Sequence, residues 1–212
     1  DQLLDESLPI TWRHINKLAG CGALGDLGSH LLSISQFIMG DITKVNAVAT
    51  TVFPKRPKSA GSTEMVDVEN EDIMTFMAEY ANGAIGQISC SRVATGRKNY
   101  LCYEIQGTKG SVRYDLERMG EVQVYFQSDN ERDRGFRTVL LNPQMKGYSA
   151  FQPAGGISIA YNDMKILEVH ALFDAITNGA DYVTDFEFGY KIDRTVAAVI
   201  ESSKTHEWVD VK

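Results

Sequence analysis

The sequence lacks long apolar runs and clustered positive charge, and each absence excludes a class of protein. No stretch approaches the roughly 18 consecutive apolar residues of a membrane-spanning helix, so no segment is expected to cross a bilayer. The net charge is −7, and no run of Lys or Arg is longer than a pair. Because phosphate binding requires clustered positive charge, a nucleic-acid partner is not expected either.

Cysteine is also scarce. The three cysteines, Cys21, Cys90 and Cys102, are odd in number and have no CxxC or CxxH spacing. This pattern predicts free thiols in a reducing compartment and disfavours a structural zinc site. The first six residues, DQLLDE, lack the basic start and apolar run of a signal peptide. We therefore expect a cytoplasmic location.

Three segments have helical character. From Leu27 to Ile38 the apolar spacing predicts an amphipathic helix that ends at Gly40. Its expected core-facing stripe consists of Leu27, His30, Leu31, Ile34, Phe37 and Ile38. Two further helices are predicted near the C-terminus, over residues 163–177 and 187–204.

Between these helices lie about seven runs with β character at the spacing of a meander. They are residues 45–53, 73–80, 84–93, 100–106, 111–115, 121–127 and 137–141. Asn82-Gly83 predicts a hairpin between the second and third runs. The Pro54–Gly61 segment, with two prolines, is predicted to be a loop, residues 142–157 a long loop, and residues 208–211 a possible edge strand. The order predicts an α+β fold, a large, mostly antiparallel open sheet with helices packed on one face.

A dinucleotide-binding unit is missing from this pattern. No GxGxxG follows a predicted strand, and strands do not alternate with helices as in βαβ units. The chain is therefore not expected to form a Rossmann pocket by itself.

The residues with the clearest chemical potential are Asp26 and His30, which are four apart at the start of the first predicted helix. A carboxylate beside an imidazole can orient the ring and raise its basicity, which suits a general base. Four glycines between Gly20 and Gly28 would let the backbone approach a ligand closely. Three plainer interpretations remain open: Asp26 as a helix N-cap, His30 as a core histidine, or both as metal ligands lacking a visible third partner.

Other candidates are weaker. Arg13 could bind a substrate hydroxyl or carboxylate, or it could simply stack on Trp12. Tyr161 could close over a substrate, or it could pack at a helix start. Arg92, Arg97 and Lys98, near a predicted hairpin, are interpreted as a solvated edge of the sheet.

The stretch around the candidate pair resembles a family signature. Trp12-Arg13 followed by AGCGALGDLGSH at residues 19–30 resembles the glucose–fructose oxidoreductase/inositol dehydrogenase/MocA family, in which a glycine-rich turn leads into D-x-G-x-H. Similar segments occur in order along the chain: GAIG at 83–86 with Ser91-Arg92, IQGTKGS at 105–111, FDAITNG at 173–179 and FGY at 188–190. The resemblance thus covers nearly the whole chain. Two departures, Ser33 in place of an acidic residue and Cys21 in place of a glycine, leave Asp26 and His30 unchanged.

The resemblance implies that residues 1–212 form a substrate-binding and oligomerisation C-terminal domain, without the N-terminal dinucleotide-binding domain. His30 would take the proton from a substrate hydroxyl, and Asp26 would orient or tune it. The family's catalytic lysine, in a Glu-Lys-Pro motif, has no counterpart here. The cofactor, NAD or NADP, would be bound mainly by the absent domain, and no residue here is assigned to it or to a metal.

The sequence therefore predicts half of an NAD(P)-dependent oxidoreductase that acts on a CH–OH group of a sugar, an inositol or a related polyol. The isolated chain is expected to be inactive. A small polyhydroxylated substrate and a homo-oligomer formed through the sheet face are the expected partners. Two alternatives are a non-catalytic ligand-sensing or assembly module derived from the same family, and a metal-dependent hydrolase.

Overall fold

The computed structural model describes residues 3–145 and 147–212, which form two compact units. The first unit contains the described residues up to Arg97 together with Thr184–Lys212. The second unit contains Lys98–Val183. The candidate residues Arg13, Asp26 and His30 belong to the first unit, whereas Tyr161 belongs to the second.

The helices and strands follow the predicted order. The helices are α1 (Asn16–Ala19), a π-helical turn (Leu24–Gly28) that runs directly into α2 (Ser29–Met39), α3 (Tyr161–Asn178) and α4 (Phe186–Thr205). The strands are β1 (Ile42–Thr50), β2 (Lys55–Pro57), β3 (Met65–Asp67), β4 (Ile73–Tyr80), β5 (Ile85–Ser91), β6 (Cys102–Gly107), β7 (Gly110–Asp115), β8 (Glu121–Phe126), β9 (Arg137–Leu140) and β10 (Val209–Asp210). Short 3₁₀ turns lie between them, one of them at Trp12–His14. The predicted α+β class with antiparallel strands is confirmed.

The strands form three antiparallel sheets. In the first unit, one sheet has the order β10-β1-β4-β5, and β2 pairs with β3 as a separate ribbon. In the second unit, a meander has the order β6-β7-β8-β9. The strands expected to form one large sheet thus belong to separate sheets, and β5 and β6 are edge strands of different sheets.

The predicted β4–β5 hairpin is present. Gly83 has a φ of 86°, a left-handed conformation that glycine adopts without the Cβ clash of other residues. Asn82 Oδ1 accepts a hydrogen bond from Ala84 N, and Asn82 Nδ2 donates one to the carbonyl of Met39. The turn therefore fixes the hairpin to the end of α2 as well as joining two strands.

The core of the first unit lies between this sheet and the helices α2 and α4. Leu24, Leu32, Val45 and Val199 are completely buried there. A buried hydrogen bond from the backbone N–H of Ala47 to the Ser202 hydroxyl joins β1 to α4. Gln36 Nε2, 3.2 Å from the Thr195 hydroxyl oxygen, joins α2 to α4. Polar groups thus set the position of both helices over the apolar sheet face.

The predicted apolar stripe of the first helix is confirmed only in part. Leu27 and Leu31 are partly buried and pack against the core, whereas His30, Phe37 and Ile38 are exposed. The buried positions are Leu24, Leu32 and Gln36, with successive separations of eight and four residues, which is also a helical repeat. The packing against the sheet decides which side of the helix is buried.

The Pro54–Gly61 segment is also more ordered than predicted, since β2 lies within it. The two prolines lie before the ribbon and at its last position, where a missing N–H is tolerated. Between them Arg56 is fully buried, and its guanidinium donates hydrogen bonds to the carbonyls of Leu3, Asp5 and Leu8. This arginine anchors the N-terminal segment.

In the second unit, α3 covers residues predicted to be helical but has no buried residue of its own. Its exposed apolar side chains are Ile166, Val169, Leu172, Phe173 and Ile176. No helix in the described part of the chain combines the length and apolarity that crossing a membrane requires.

Candidate functional site

The site is built around the start of the helix that carries Asp26 and His30. The two carboxylate oxygens of Glu71 accept hydrogen bonds from the backbone N–H groups of Gly22 and Leu24, both at 2.9 Å. The Glu71 carbonyl accepts a third bond, from Ala23 N, at 3.0 Å. Glu71, just before β4, thus satisfies the free N–H groups of the helix start. The interpretation of Asp26 as a simple N-cap is therefore wrong.

The glycines before the helix pack against the protein's own chain. A Cβ on Gly22 would lie 2.0 Å from the carbonyl oxygen of Glu71, and one on Gly25 would lie 2.7 Å from Cys21 Sγ. A Cβ on Gly28 would lie 2.9 Å from a methyl carbon of Leu24. These glycines allow a close approach, as predicted, but the contacts recorded are internal ones.

Asp26 lies between two arginines. Arg92, at the end of β5, donates a hydrogen bond from its terminal nitrogen to Asp26 Oδ2 at 3.1 Å. Arg13 Nε lies 3.8 Å from the same oxygen. The Asp26 side chain is 35% exposed, so one oxygen is held by the protein while the carboxylate as a whole stays accessible. Among the described residues, no hydrogen bond to Asp26 Oδ1 is recorded.

Arg92 is not solvent-exposed, in contrast to the expectation from the sequence. The sequence suggested a solvated sheet edge at Arg92, Arg97 and Lys98, and the last two are indeed exposed. The side chain of Arg92 is only 4% exposed and forms an ion pair with Asp26. Sequence reasoning missed it because the two residues are 66 positions apart and no local pattern joins them.

His30 lies on the exposed side of α2, in contrast to the interpretation as a core histidine. It lines an open cleft of about 470 Å³ within the first unit. No hydrogen bond between the His30 ring and Asp26 is recorded in the described part of the chain. Asp26 lies in the π-helical turn and His30 in the first turn of α2. Such π-helical turns occur frequently at functional sites.

The cleft combines hydroxyl, carboxylate and aromatic groups. Its lining residues come from α2 and from the start of α4: Ser29, His30, Ser33, Thr184, Asp185, Phe186, Phe188, Gly189, Tyr190, Ile192 and Asp193. Phe186 is 99% exposed, and Tyr190 is 63% exposed. Hydroxyl and carboxylate groups can hydrogen-bond a polyol, and aromatic faces can cover its C–H groups. The sequence placed the α4 residues in a helix and residues 188–190 in the family resemblance, but it assigned none of them to a site.

The two secondary candidates have different surroundings. Arg13 stacks on the ring of Trp12, with its guanidinium carbon 4.4 Å from the ring centroid, and also approaches Asp26. The stacking on Trp12 is therefore present, and the Arg13 side chain stays 46% exposed. Tyr161 begins α3 in the second unit and is 53% exposed, with Lys165 Nζ 5.7 Å from its ring. It is not packed at the helix start, and its part in substrate binding stays a prediction.

Burial shifts the pKa of two side chains of the first unit, His14 and Cys90. Burial, together with the nearby charge of Arg56, lowers the pKa of His14, whose Nδ1 accepts a hydrogen bond from Thr11 N at 2.9 Å. Burial raises the pKa of Cys90 to about 12. A protonated thiol is therefore expected at neutral pH, and both side chains are almost completely buried, so neither is a candidate reactive group.

Neither a metal centre nor a dinucleotide site is formed by the described residues. No cluster of three or more His, Cys, Asp and Glu side chains capable of holding a metal occurs among them. All recorded strand pairs are antiparallel, so the parallel βαβ unit that binds a dinucleotide pyrophosphate is not present in residues 3–145 and 147–212. The residues present do not fit a complete nicotinamide dinucleotide.

The first unit is thus an antiparallel sheet covered by helices, with a carboxylate and an imidazole at the start of one helix. The chain belongs to the GFO/IDH/MocA family, since residues 2–113 match the model of the GFO/IDH/MocA C-terminal domain. The resemblance expected from the sequence is thereby confirmed.

Relatives extend this likeness over the full chain. Levoglucosan dehydrogenase of Pseudarthrobacter phenanthrenivorans is 37% identical over 100% of this chain. The solved structure of levoglucosan dehydrogenase in complex with NADH and levoglucosan superposes with a TM-score of 0.93, at 37% identity, over 100% of this chain and 56% of that one. An NAD-binding oxidoreductase from Klebsiella pneumoniae superposes with a TM-score of 0.92, at 39% identity, over 98% of this chain and 55% of that one.

The chain spans only part of these relatives, 57% of the length of levoglucosan dehydrogenase from P. phenanthrenivorans. The relatives that this chain matches thus include a levoglucosan dehydrogenase and an NAD-binding oxidoreductase, and the family model that it matches is that of the C-terminal domain.

Proposed function

We propose that this chain is the substrate-binding part of an NAD(P)-dependent dehydrogenase that oxidises a CH–OH group of a sugar or related polyol. His30 accepts the proton of the substrate hydroxyl at an imidazole nitrogen, and Asp26 tunes and orients the group that receives it. The observation that carries the proposal is the position of His30, exposed in an open cleft one helical turn from an accessible, ion-paired carboxylate.

The cleft fits a polyhydroxylated ligand. Ser33, Thr184 and Asp193 offer donors and acceptors, and Tyr190 offers an aromatic face. Arg13 does not line this cleft, but it is 46% exposed beside Asp26, and we propose that it also binds the substrate. Tyr161 stays a substrate-binding candidate predicted from the sequence. The names of the relatives, levoglucosan dehydrogenase and D-apiose dehydrogenase, favour a neutral sugar.

We propose that the cofactor required for the reaction is bound mainly by residues outside those described here. A bound nicotinamide cofactor would supply the acceptor for the hydride, and the described residues form no parallel βαβ unit that would hold its pyrophosphate. We therefore propose that the 212 residues alone are inactive. A homo-oligomer formed through the sheet face is part of the same proposal, as is a cytoplasmic location.

The test uses the polypeptide as its own gene expresses it. Turnover is measured with a panel of sugars and inositols, each with NAD and with NADP. His30→Asn is expected to lower kcat by about 10²- to 10⁴-fold, the usual contribution of a general base. The matched control is His170→Asn, since His170 is exposed on α3 in the other unit.

Either of two results would contradict the proposal. An unchanged kcat in His30→Asn would show that His30 is not the proton acceptor. No turnover of any polyol with either cofactor would favour the ligand-sensing alternative, which a direct binding assay with the same sugars would then examine.

A further inference from the structure

Arg92 holds one oxygen of Asp26, and the structure explains why it can do so rigidly. Its side chain is 4% exposed, so it is shielded from solvent, and it does not line the cleft. Arg13, in contrast, is 46% exposed and lies 3.8 Å from the carboxylate. Of the two arginines, Arg92 is the one with a fixed position.

The backbone on either side of this ion pair is fixed by one segment. Glu71 binds the helix start that carries Asp26 through Gly22, Ala23 and Leu24. The carbonyl of Asp72, the next residue, accepts a hydrogen bond from Arg92 N at 3.0 Å. Residues 71 and 72 therefore set the distance between the π-helical turn and the end of β5.

The position of the turn that carries Asp26 is also fixed. Gly22 approaches Glu71 so closely that a Cβ would lie 2.0 Å from the Glu71 carbonyl oxygen, so the turn cannot shift toward β4. Asp26 N donates a hydrogen bond to the Gly22 carbonyl at 3.3 Å. Arg92 occupies Oδ2 of Asp26, and a carboxylate held at one oxygen presents the other in a defined direction.

We infer that Arg92 is a positioning residue of the site, which fixes the Asp26 carboxylate so that Oδ1 is directed toward the substrate and His30. This inference rests on the proposed function, since it assigns Arg92 a role in the same reaction. Because its side chain is buried and does not line the cleft, Arg92 is not expected to contact the substrate. Its removal should therefore act on kcat more than on the KM of the sugar.

A double-mutant cycle tests the inference in the complete protein. Arg92→Met removes the guanidinium and keeps much of its volume, and it is expected to lower kcat about ten- to hundredfold, the usual effect of misplacing a catalytic group. In an Asp26→Asn background the same substitution should lower kcat much less, because the carboxylate that it positions is already gone. Arg113→Met, at an exposed arginine of the second unit, is the control and should leave kcat unchanged.

A purely structural role gives a different result. If Arg92→Met lowers kcat by the same factor with and without the Asp26 carboxylate, or raises KM alone, the inference is wrong. Arg92→Lys keeps the charge without the planar fork. It should retain more kcat than Arg92→Met, and it carries the test if Arg92→Met does not fold.

Failure of the proposed function can be recognised separately. If the unsubstituted protein turns over no polyol, the proposed function is wrong. Thermal unfolding of the four proteins of the cycle (unsubstituted, Arg92→Met, Asp26→Asn and the double variant) then tests the ion pair alone. A smaller loss of Tm from Arg92→Met in the Asp26→Asn background than in the unsubstituted protein supports the pairing. Equal losses overturn it.

Discussion

Gly22 provides a direct test of how the helix start is held. Gly22→Ala would place a methyl carbon 2.0 Å from the Glu71 carbonyl oxygen and 2.8 Å from the Glu71 nitrogen. Both are backbone atoms next to β4, so neither can rotate away as the end of a side chain would. The substitution therefore requires the helix start and the Glu71 segment to separate.

The cost has two parts. Overpacking a closely packed position costs about 1–3 kcal/mol. Separation also weakens the three hydrogen bonds between Glu71 and residues 22–24, each contributing about 1 kcal/mol. If two of the three are lost, the free energy of unfolding falls by about 3–5 kcal/mol. For a chain of this size the Tm should then fall by about 10 °C.

The assay is thermal unfolding followed by far-UV circular dichroism. Gly189→Ala is a matched control because a Cβ there meets no atom within 4 Å, and Gly189 lies inside α4. That variant should gain about 1 kcal/mol from the better helix propensity of alanine. A Gly22→Ala protein that melts with the unsubstituted one would refute the packing described for the helix start.

Two further predictions concern buried titratable groups. The pKa of His14 is lowered from 6.5 in the folded state, so as the pH falls below about 6.5 the unfolded chain takes up a proton that the folded chain does not. Stability should therefore decline from pH 7 toward the lowered pKa, and His14→Gln should show a shallower decline in urea unfolding across that range; equal slopes would exclude His14 as the cause. The thiol of Cys90, with a pKa of about 12, should not be alkylated by iodoacetamide at pH 8 until the protein unfolds, as mass spectrometry of the labelled peptides would show; rapid labelling of the folded protein would contradict its burial.

Local signals in the sequence were sufficient for most of the element order. Asn82-Gly83 predicted the β4–β5 turn because few residues other than glycine tolerate the left-handed backbone found at Gly83. The closing helices were predicted within three residues of α3 and α4 at each end. In each case the determining interaction lies within a few residues along the chain.

The same local signals failed where two solutions satisfied one pattern. In the first helical segment the predicted stripe packs against the core at Leu27 but is exposed at Phe37, whereas the alternative positions Leu24 and Leu32 are fully buried. In the segment after β1, two prolines suggested a loop, but Arg56 binds the N-terminal carbonyls from within a short strand. Partners distant in sequence decided both outcomes.

The sequence by itself determined the α+β order, the family resemblance and the identity of Asp26 and His30 as the candidate pair. The tertiary structure alone decided that Glu71 rather than Asp26 caps the helix, that His30 lies in an open cleft with residues of α4, and that Arg92 reaches Asp26. The physical reason is the distance along the sequence between the residues that interact. Turns and helices are set by neighbours along the chain, whereas the surroundings of a charged or catalytic side chain are set by residues 40 to 160 positions away that only the folded sheet brings together.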